Sequence, residues 1–136
     1  MLVDKNKVIY PELSYKINKV LFSTKKRLGQ YKNEKQYCDD IEEGFKQEQI
    51  LYEREKVLPA SFLGEIKGRN KVDFWVDNKV VLEVKAKQFV TKEDYYQTRR
   101  YLDALNAKLG ILVNMRSYYV NPKRILNSKA EVKDFA

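Results

Sequence analysis

The segment KVDFWVDNKVVLEVKA, residues 71–86, constrains the fold of this chain more than any other stretch. Two runs rich in valine and aromatic residues flank Asp77-Asn78, which is the pattern of a β-hairpin. Successive side chains of a strand point to opposite faces. Alternation therefore puts Val72, Phe74 and Val76 on one face of the first strand, and Asp73, Trp75 and Asp77 on the other. In the second strand Val80, Leu82, Val84 and Ala86 oppose Val81, Glu83 and Lys85. For both apolar sets to meet one core, facing residues must have numbers with an even sum, so the loop must be odd in length. A three-residue turn with Asn78 in or near the left-handed region meets that requirement. Asp73, Glu83 and Lys85 then emerge on one face of adjacent strands, inside a sheet that is otherwise hydrophobic.

A buried pair of like charges is costly unless a cation bridges it. Two carboxylate oxygens, a nearby backbone carbonyl and waters suit Mg²⁺. A lysine beside them can orient or deprotonate a water for attack on a phosphodiester. The competing account is a solvated hairpin face carrying a Lys–Glu pair, because D…ExK is a short and common pattern. Composition narrows the chemistry from another side. The 136 residues include no histidine and one cysteine, Cys38. That excludes a Ser–His–Asp or Cys–His couple, a four-ligand Cys/His zinc site and an intramolecular disulfide. Any catalysis must rest on carboxylates, lysine, tyrosine or a hard cation.

The rest of the chain reads as one domain. Leu13, Ile17, Val20, Leu21, Thr24 and Leu28 recur at helical spacing between Pro11 and Gly29, predicting a helix over 11–28. A second stripe, Tyr37, Cys38, Ile41 and Phe45, predicts a helix ending by about Gln49, with Cys38 as a small buried hydrophobe. Residues 50–58 read as a strand closed by Pro59. Thr91 to Asp94 has the form of a capping box that opens a third helix, reaching about Asn106. Residues 109–114 are a buried strand, residues 118–126 hold a short edge strand, and 127–136 read as a polar tail. The order α-α-β-β-β-α-β describes an α/β domain with a mixed sheet flanked by helices. The chain lacks an apolar run long enough for a membrane helix. Its start lacks the stretch of a signal peptide, and with the unpaired Cys38 this predicts a cytoplasmic, reducing setting.

Two polar positions stand out on the helices. Glu34 falls on the inward stripe of the second helix, as a partner for a buried cation or as a first-turn residue favoured by the helix dipole. Gln97 and Tyr101, four apart, form a polar stripe beside the apolar one on the third helix, or simply its amphipathic border. Asp73…Glu83-Val84-Lys85 resembles the PD-(D/E)XK nuclease signature, and Gln97-Thr98-Arg99-Arg100-Tyr101 fits the QxxxY motif of its RecB-like branch. More closely, the chain is similar to the GxxExxY family of small PD-(D/E)XK-type proteins. The similarity rests on Tyr10-Pro11-Glu12-Leu13-Ser14-Tyr15-Lys16-Ile17, Leu28-Gly29, Glu34 with Tyr37, Val72-Asp73-Phe74 and Leu112-Val113-Asn114, and spans about residues 8–126. The glycine that names the family is Tyr31 here, and Lys25 stands where members often carry histidine.

The resemblance implies a restriction-endonuclease-like αβββαβ core and a Mg²⁺- or Mn²⁺-dependent nuclease. It implies Asp73, Glu83, the Val84 carbonyl and Glu34 as metal ligands, Lys85 as the catalytic lysine, and Gln97 with Tyr101 as a polar clamp. An excess of basic over acidic side chains, +8 net, lies in residues 1–29 and 66–136, and 30–65 is acidic. Such a balance suits either a nucleic-acid partner or a lysine-rich solubilising surface. Candidate phosphate contacts are Lys25, Lys26 and Arg27, which also suit a helix C-terminal dipole, and Arg99 and Arg100, with Lys123 and Arg124 as a further group. Trp75 reads as core beneath a helix or as a platform for a base. The expectation is a nuclease acting on DNA in preference to RNA. A catalytically silent nucleic-acid- or protein-binding module on the same fold is the alternative. A homodimer would allow both strands to be cut, although no segment of the sequence marks an interface.

Overall fold

The computed structural model describes residues 9–133. Helices α1 (Pro11–Leu28) and α2 (Glu34–Gln47) precede strands β1 (Tyr52–Val57), β2 (Lys71–Val76) and β3 (Val80–Lys85). Helix α3 (Lys92–Leu105) then leads to β4 (Leu109–Asn114) and β5 (Lys123–Leu126). The five strands form one sheet in chain order. β1, β2 and β3 make an antiparallel meander, β4 runs parallel to β3 after the α3 crossover, and β5 returns antiparallel to β4. This is the expected mixed sheet with flanking helices, consistent with a restriction-endonuclease-like architecture. None of the described helices is long and apolar enough to cross a membrane.

Local chemistry sets the ends of these elements. Pro11 opens α1, and Gly29, at φ 76°, closes it with an N–H to the Lys25 carbonyl. Asn33 and Gln36 form a reciprocal capping box at the start of α2 that the sequence reading missed. Thr91 and Asp94 form the one expected at α3. Each such cap supplies about 1 kcal/mol. The hairpin turn is as the parity argument requires: Val76 faces Val80 across residues 77–79, with Asp77 and Asn78 both left-handed.

The sheet separates two apolar layers. On one face Ile17, Val20, Leu21, Tyr37, Ile41 and Phe45 of α1 and α2 pack on Phe74, Leu82, Val84, Ile111 and Val113. On the other, Tyr101 and Leu102 of α3 pack on Trp75, Val81 and Leu112. Two glycines permit close approach. A Cβ on Gly44 would lie 2.6 Å from Val20 Cγ1, and one on Gly110 would lie 3.1 Å from Thr98 Cγ2 and 3.2 Å from Leu102 Cδ2.

Three expectations need correction. Val72 packs with Trp75 and Tyr101 rather than with Phe74, so strict alternation fails along β2. The change of face falls at Asp73, beyond the last β2–β3 pair, Phe74↔Leu82. Its neighbour in β1 is Glu55, which lies between Arg54↔Phe74 and Lys56↔Val72 and has φ 54°. A left-handed non-glycine residue inside a strand costs on the order of 1–2 kcal/mol. The edge strand is shorter than expected, because residues 118–122 stay in a loop that ends at Pro122. The segment 127–133, read as a polar tail, is anchored: Asn127 and Ala130 are buried. The Asn127 N–H donates to the Lys108 carbonyl, and the Lys133 N–H to the Tyr10 hydroxyl. Residues 1–8 and 134–136, at the two ends of the expected domain, lie outside the described residues.

Candidate active site

At one end of the sheet, β2 and β3 part and charged groups occupy the gap. The Val84 N–H donates to Asp73 Oδ2 at 2.7 Å, so a side-chain carboxylate takes the place of a ladder acceptor. Glu83, on the adjoining position of β3, is 2 % exposed, and its Oε1 is buried with no hydrogen-bond partner. Burial pushes the Glu83 carboxyl well above the usual carboxylate range. Contact with the Asp73 carboxylate raises it further, and Lys85 offsets part of the rise. An orphaned carboxylate oxygen beside a second carboxylate, in a largely apolar wall, is a donor set that suits a divalent cation.

Lys85 is half-buried, and its Nζ donates to Gln97 Oε1 of α3 at 3.3 Å. Its charge is felt at the site, where it lowers the Glu83 and Glu34 carboxyls. Tyr101, one turn beyond Gln97, is buried. Its phenol is pushed up to about 12 by burial and then by the negative charges of Glu83 and Asp73. The two motif residues of α3 thus stand over the carboxylates and the lysine of β2 and β3.

Glu34 stands at the first turn of α2, mostly in solvent yet close enough to feel the site. Partial desolvation raises its carboxyl, Lys85 lowers it, and Asp73 raises it again. It does not complete a cage: among the described residues no three Asp, Glu, Cys or His side chains converge as a metal-binding group. Asp73 and Glu83 are the pair in contact, and Glu34 is coupled to Asp73 and Lys85 through space. The Val84 group with a described contact is its N–H.

Several supporting residues escaped the sequence reading. The Tyr37 hydroxyl donates to the Gly29 carbonyl at 2.5 Å and accepts the Lys32 N–H, tying down the loop that delivers Glu34. In the sequence Tyr37 shows as a hydroxyl on an otherwise apolar stripe and, with Glu34, as part of the family resemblance, but not as a tie for this loop. Asn114, the last residue of β4, faces Lys85 in the parallel register. Its amide accepts the Lys87 N–H and donates to the Lys87 carbonyl, fixing the backbone just past Lys85. A polar residue ending a wholly apolar strand was the available signal. Lys87 Nζ in turn pairs with Asp94 at 2.5 Å, joining that backbone to the start of α3.

The basic candidates divide. Lys25 is turned inward: its ammonium donates to the carbonyls of Met115 and Ser117, and burial lowers its pKa. Arg27 pairs with Asp40 through Nε and Nη2. Arg124 donates to Ser14 and to the Ile9 carbonyl. All three thus act as struts between elements, Lys25 half-buried and Arg27 and Arg124 with part of their surface still exposed. Lys26, Arg100 and Lys123 are exposed, and Arg99 is half-buried. Arg100 shares with Arg69 and Tyr101 a cavity of about 270 Å³. Trp75 is buried in the α3-side layer with Lys133 Nζ 5.2 Å from its ring, so its face is not offered to a base. Cys38 is buried, and burial together with the charge of Asp73 raises its thiol far above the usual range.

A family model described as the PD-(D/E)XK nuclease superfamily matches residues 11–125. Neither a curated protein nor a solved structure matches the chain.

Proposed function

The chain belongs to the PD-(D/E)XK nuclease superfamily, and we propose that it is a divalent-metal-dependent nuclease hydrolysing phosphodiester bonds, of DNA in preference to RNA. Nucleases of this superfamily generally use divalent metal ions such as Mg²⁺. The observation that carries the reading is the pair of buried Glu83 and half-buried Asp73, with one Glu83 oxygen lacking any partner and Lys85 beside it.

Asp73 and Glu83 would hold Mg²⁺ or Mn²⁺, with the Val84 carbonyl as a further donor and Glu34 acting from the entrance. When bound, the ion neutralises the two carboxylates and stabilises charge that develops on the phosphoryl oxygens. Lys85, steadied by a neutral amide instead of a carboxylate, keeps its charge available to a phosphate oxygen, and it is the group placed to orient the attacking water. Gln97 and Tyr101 hold Lys85 and the pair in register. Lys26, Arg99 and Arg100 are the cations left to meet the nucleic-acid backbone. Within the superfamily we place the chain with the GxxExxY proteins, because Tyr37 holds the loop that sets Glu34 in place.

The test is cleavage of DNA and RNA by the purified protein with Mg²⁺ and with Mn²⁺, beside Asp73→Ala and Lys85→Ala. Metal-dependent cleavage lost in both variants is expected. Absence of cleavage with either ion, or salt-sensitive binding unaffected by Lys85→Ala and without turnover, would replace the enzyme with a silent binding module. Sedimentation of the same samples reports whether a homodimer forms.

A further inference from the structure

We propose that the cavity beside β4 is a nucleobase pocket, so that substrate reaches this site as an unpaired strand. The proposal rests on the nuclease reading for what happens next door, but the pocket can be filled or left empty independently of cleavage. The cavity measures about 360 Å³, room for a base with its sugar, and is lined by Gln88, Phe89, Leu112, Asn114, Asn121 and Lys123. Its position is fixed by the register: Asn114, which lines it, faces Lys85 across the β3–β4 pair, so the pocket borders the strand next to the one that carries Lys85.

Its chemistry is that of a base site. Phe89 and Leu112 give an apolar wall, whereas the amides of Gln88 and Asn121 offer both donors and acceptors to a base edge. Lys123, at the start of β5, is an exposed cation lining the pocket, and Arg116 is another on the β4–β5 loop. One ring lines the pocket and two more stand on the β4–β5 loop that supplies Ser117 and Asn121 to it, and all three are open to water. Phe89 is 72 % exposed on the β3–α3 connection. Tyr118 and Tyr119 are 75 % and 79 % exposed on the β4–β5 loop, edge to face with ring centres 4.7 Å apart. Exposed aromatics interleaved with cations are the means by which proteins stack the bases of single strands. In a duplex those base faces are already stacked, so a duplex has none to offer unless a base is flipped out.

The experiment uses the full chain without metal, so that no cleavage intervenes. Short DNA and RNA single strands carrying 2-aminopurine, and matched duplexes, are titrated at low salt while the probe's fluorescence is followed. Expected are quenching by the single strands and tighter binding of these than of the duplexes. Phe89→Ala and Tyr119→Ala should each weaken single-strand binding by about fivefold or more, and Phe89→Trp should restore it. These side chains are exposed, so the variants keep the fold, and circular dichroism checks this. Equal affinity for single strand and duplex, or an unchanged Phe89→Ala, overturns the pocket even if the wild type cuts nucleic acid. Quenching with a single-strand preference upholds it even if neither metal supports cleavage, and then the nuclease reading alone falls.

Discussion

β2 and β3 are joined at only one end, and the two ends of this strand pair differ in kind. At the turn, Val76 faces Val80, Trp75 faces Val81 and Phe74 faces Leu82, and all six side chains are buried. At the other end the ladder stops, β2 changes face at Asp73, and two carboxylates and a lysine fill the opening. One end gains stability from apolar burial; the other gives stability up to hold like charges out of water. Strain collects at the same place, since the left-handed Glu55 lies in β1 beside Asp73. Rigid pairing a few residues away is what keeps the open end from collapsing.

Substitutions can break this contrast. The largest effect is expected on rate: Lys85→Ala or Asp73→Ala should lower metal-dependent cleavage by at least about 100-fold, while Val76→Ala leaves kcat nearly unchanged. Steady-state kinetics on the three variants checks this. Next, Leu82→Ala should cost about 2–5 kcal/mol in urea unfolding, because a fully buried side chain leaves a cavity at the paired end. Gly110→Ala should cost about 1–3 kcal/mol by forcing α3 off the sheet, read from the same curves.

At the open end the sign should reverse. Glu83→Gln removes the cost of keeping a buried carboxyl protonated, so the metal-free variant should melt at a higher temperature than wild type near neutral pH while losing metal affinity in calorimetry. The pH dependence follows from the raised carboxyl. The folded protein holds the Glu83 proton more tightly than the unfolded chain, so this group stabilises fully below about its ordinary value of 4.5. That contribution is lost as pH rises from there toward the raised folded value. Metal-free wild type should therefore lose stability across this window more steeply than Glu83→Gln. The smallest effect is expected for Glu55→Gly, which removes the left-handed cost but loosens the unfolded chain, a net gain within about 1 kcal/mol.

Periodicity made much of this visible in the sequence. The stripe of α1, the odd turn, the Thr91 cap and the buried β4 all follow from local patterns that the structure keeps. What stayed hidden depends on which element lies opposite. Alternation gave no warning that Val72 would change sides, because the swap occurs where β3 withdraws. Lys25 and Arg27 look like phosphate contacts until the carbonyls of Met115 and Ser117, some 90 residues on, and Asp40 appear beside them. In the site, D…ExK was readable because three charges in valine-rich strands are conspicuous. Tyr37 and Asn114 were readable only as parts of the resemblance and not in their roles, because each acts on backbone groups that the sequence does not identify.

β4 carries a further consequence. Its sequence, Leu-Gly-Ile-Leu-Val-Asn, is apolar between two exceptions, and β3 opposite it begins Val-Val-Leu, so hydrophobicity says little about how the two should align. Gly110 and Asn114 supply that information. A slip of one residue would bring Leu109 or Ile111 under Thr98 and Leu102, where even a lone Cβ on Gly110 would stand at 3.1 Å. It would also replace the amide at Lys87 with Val113 or Met115, leaving a backbone N–H and a carbonyl without partners. The strand thus carries its own register lock, a steric stop at one end and a two-bond latch at the other, and the latch closes on the peptide two residues past Lys85.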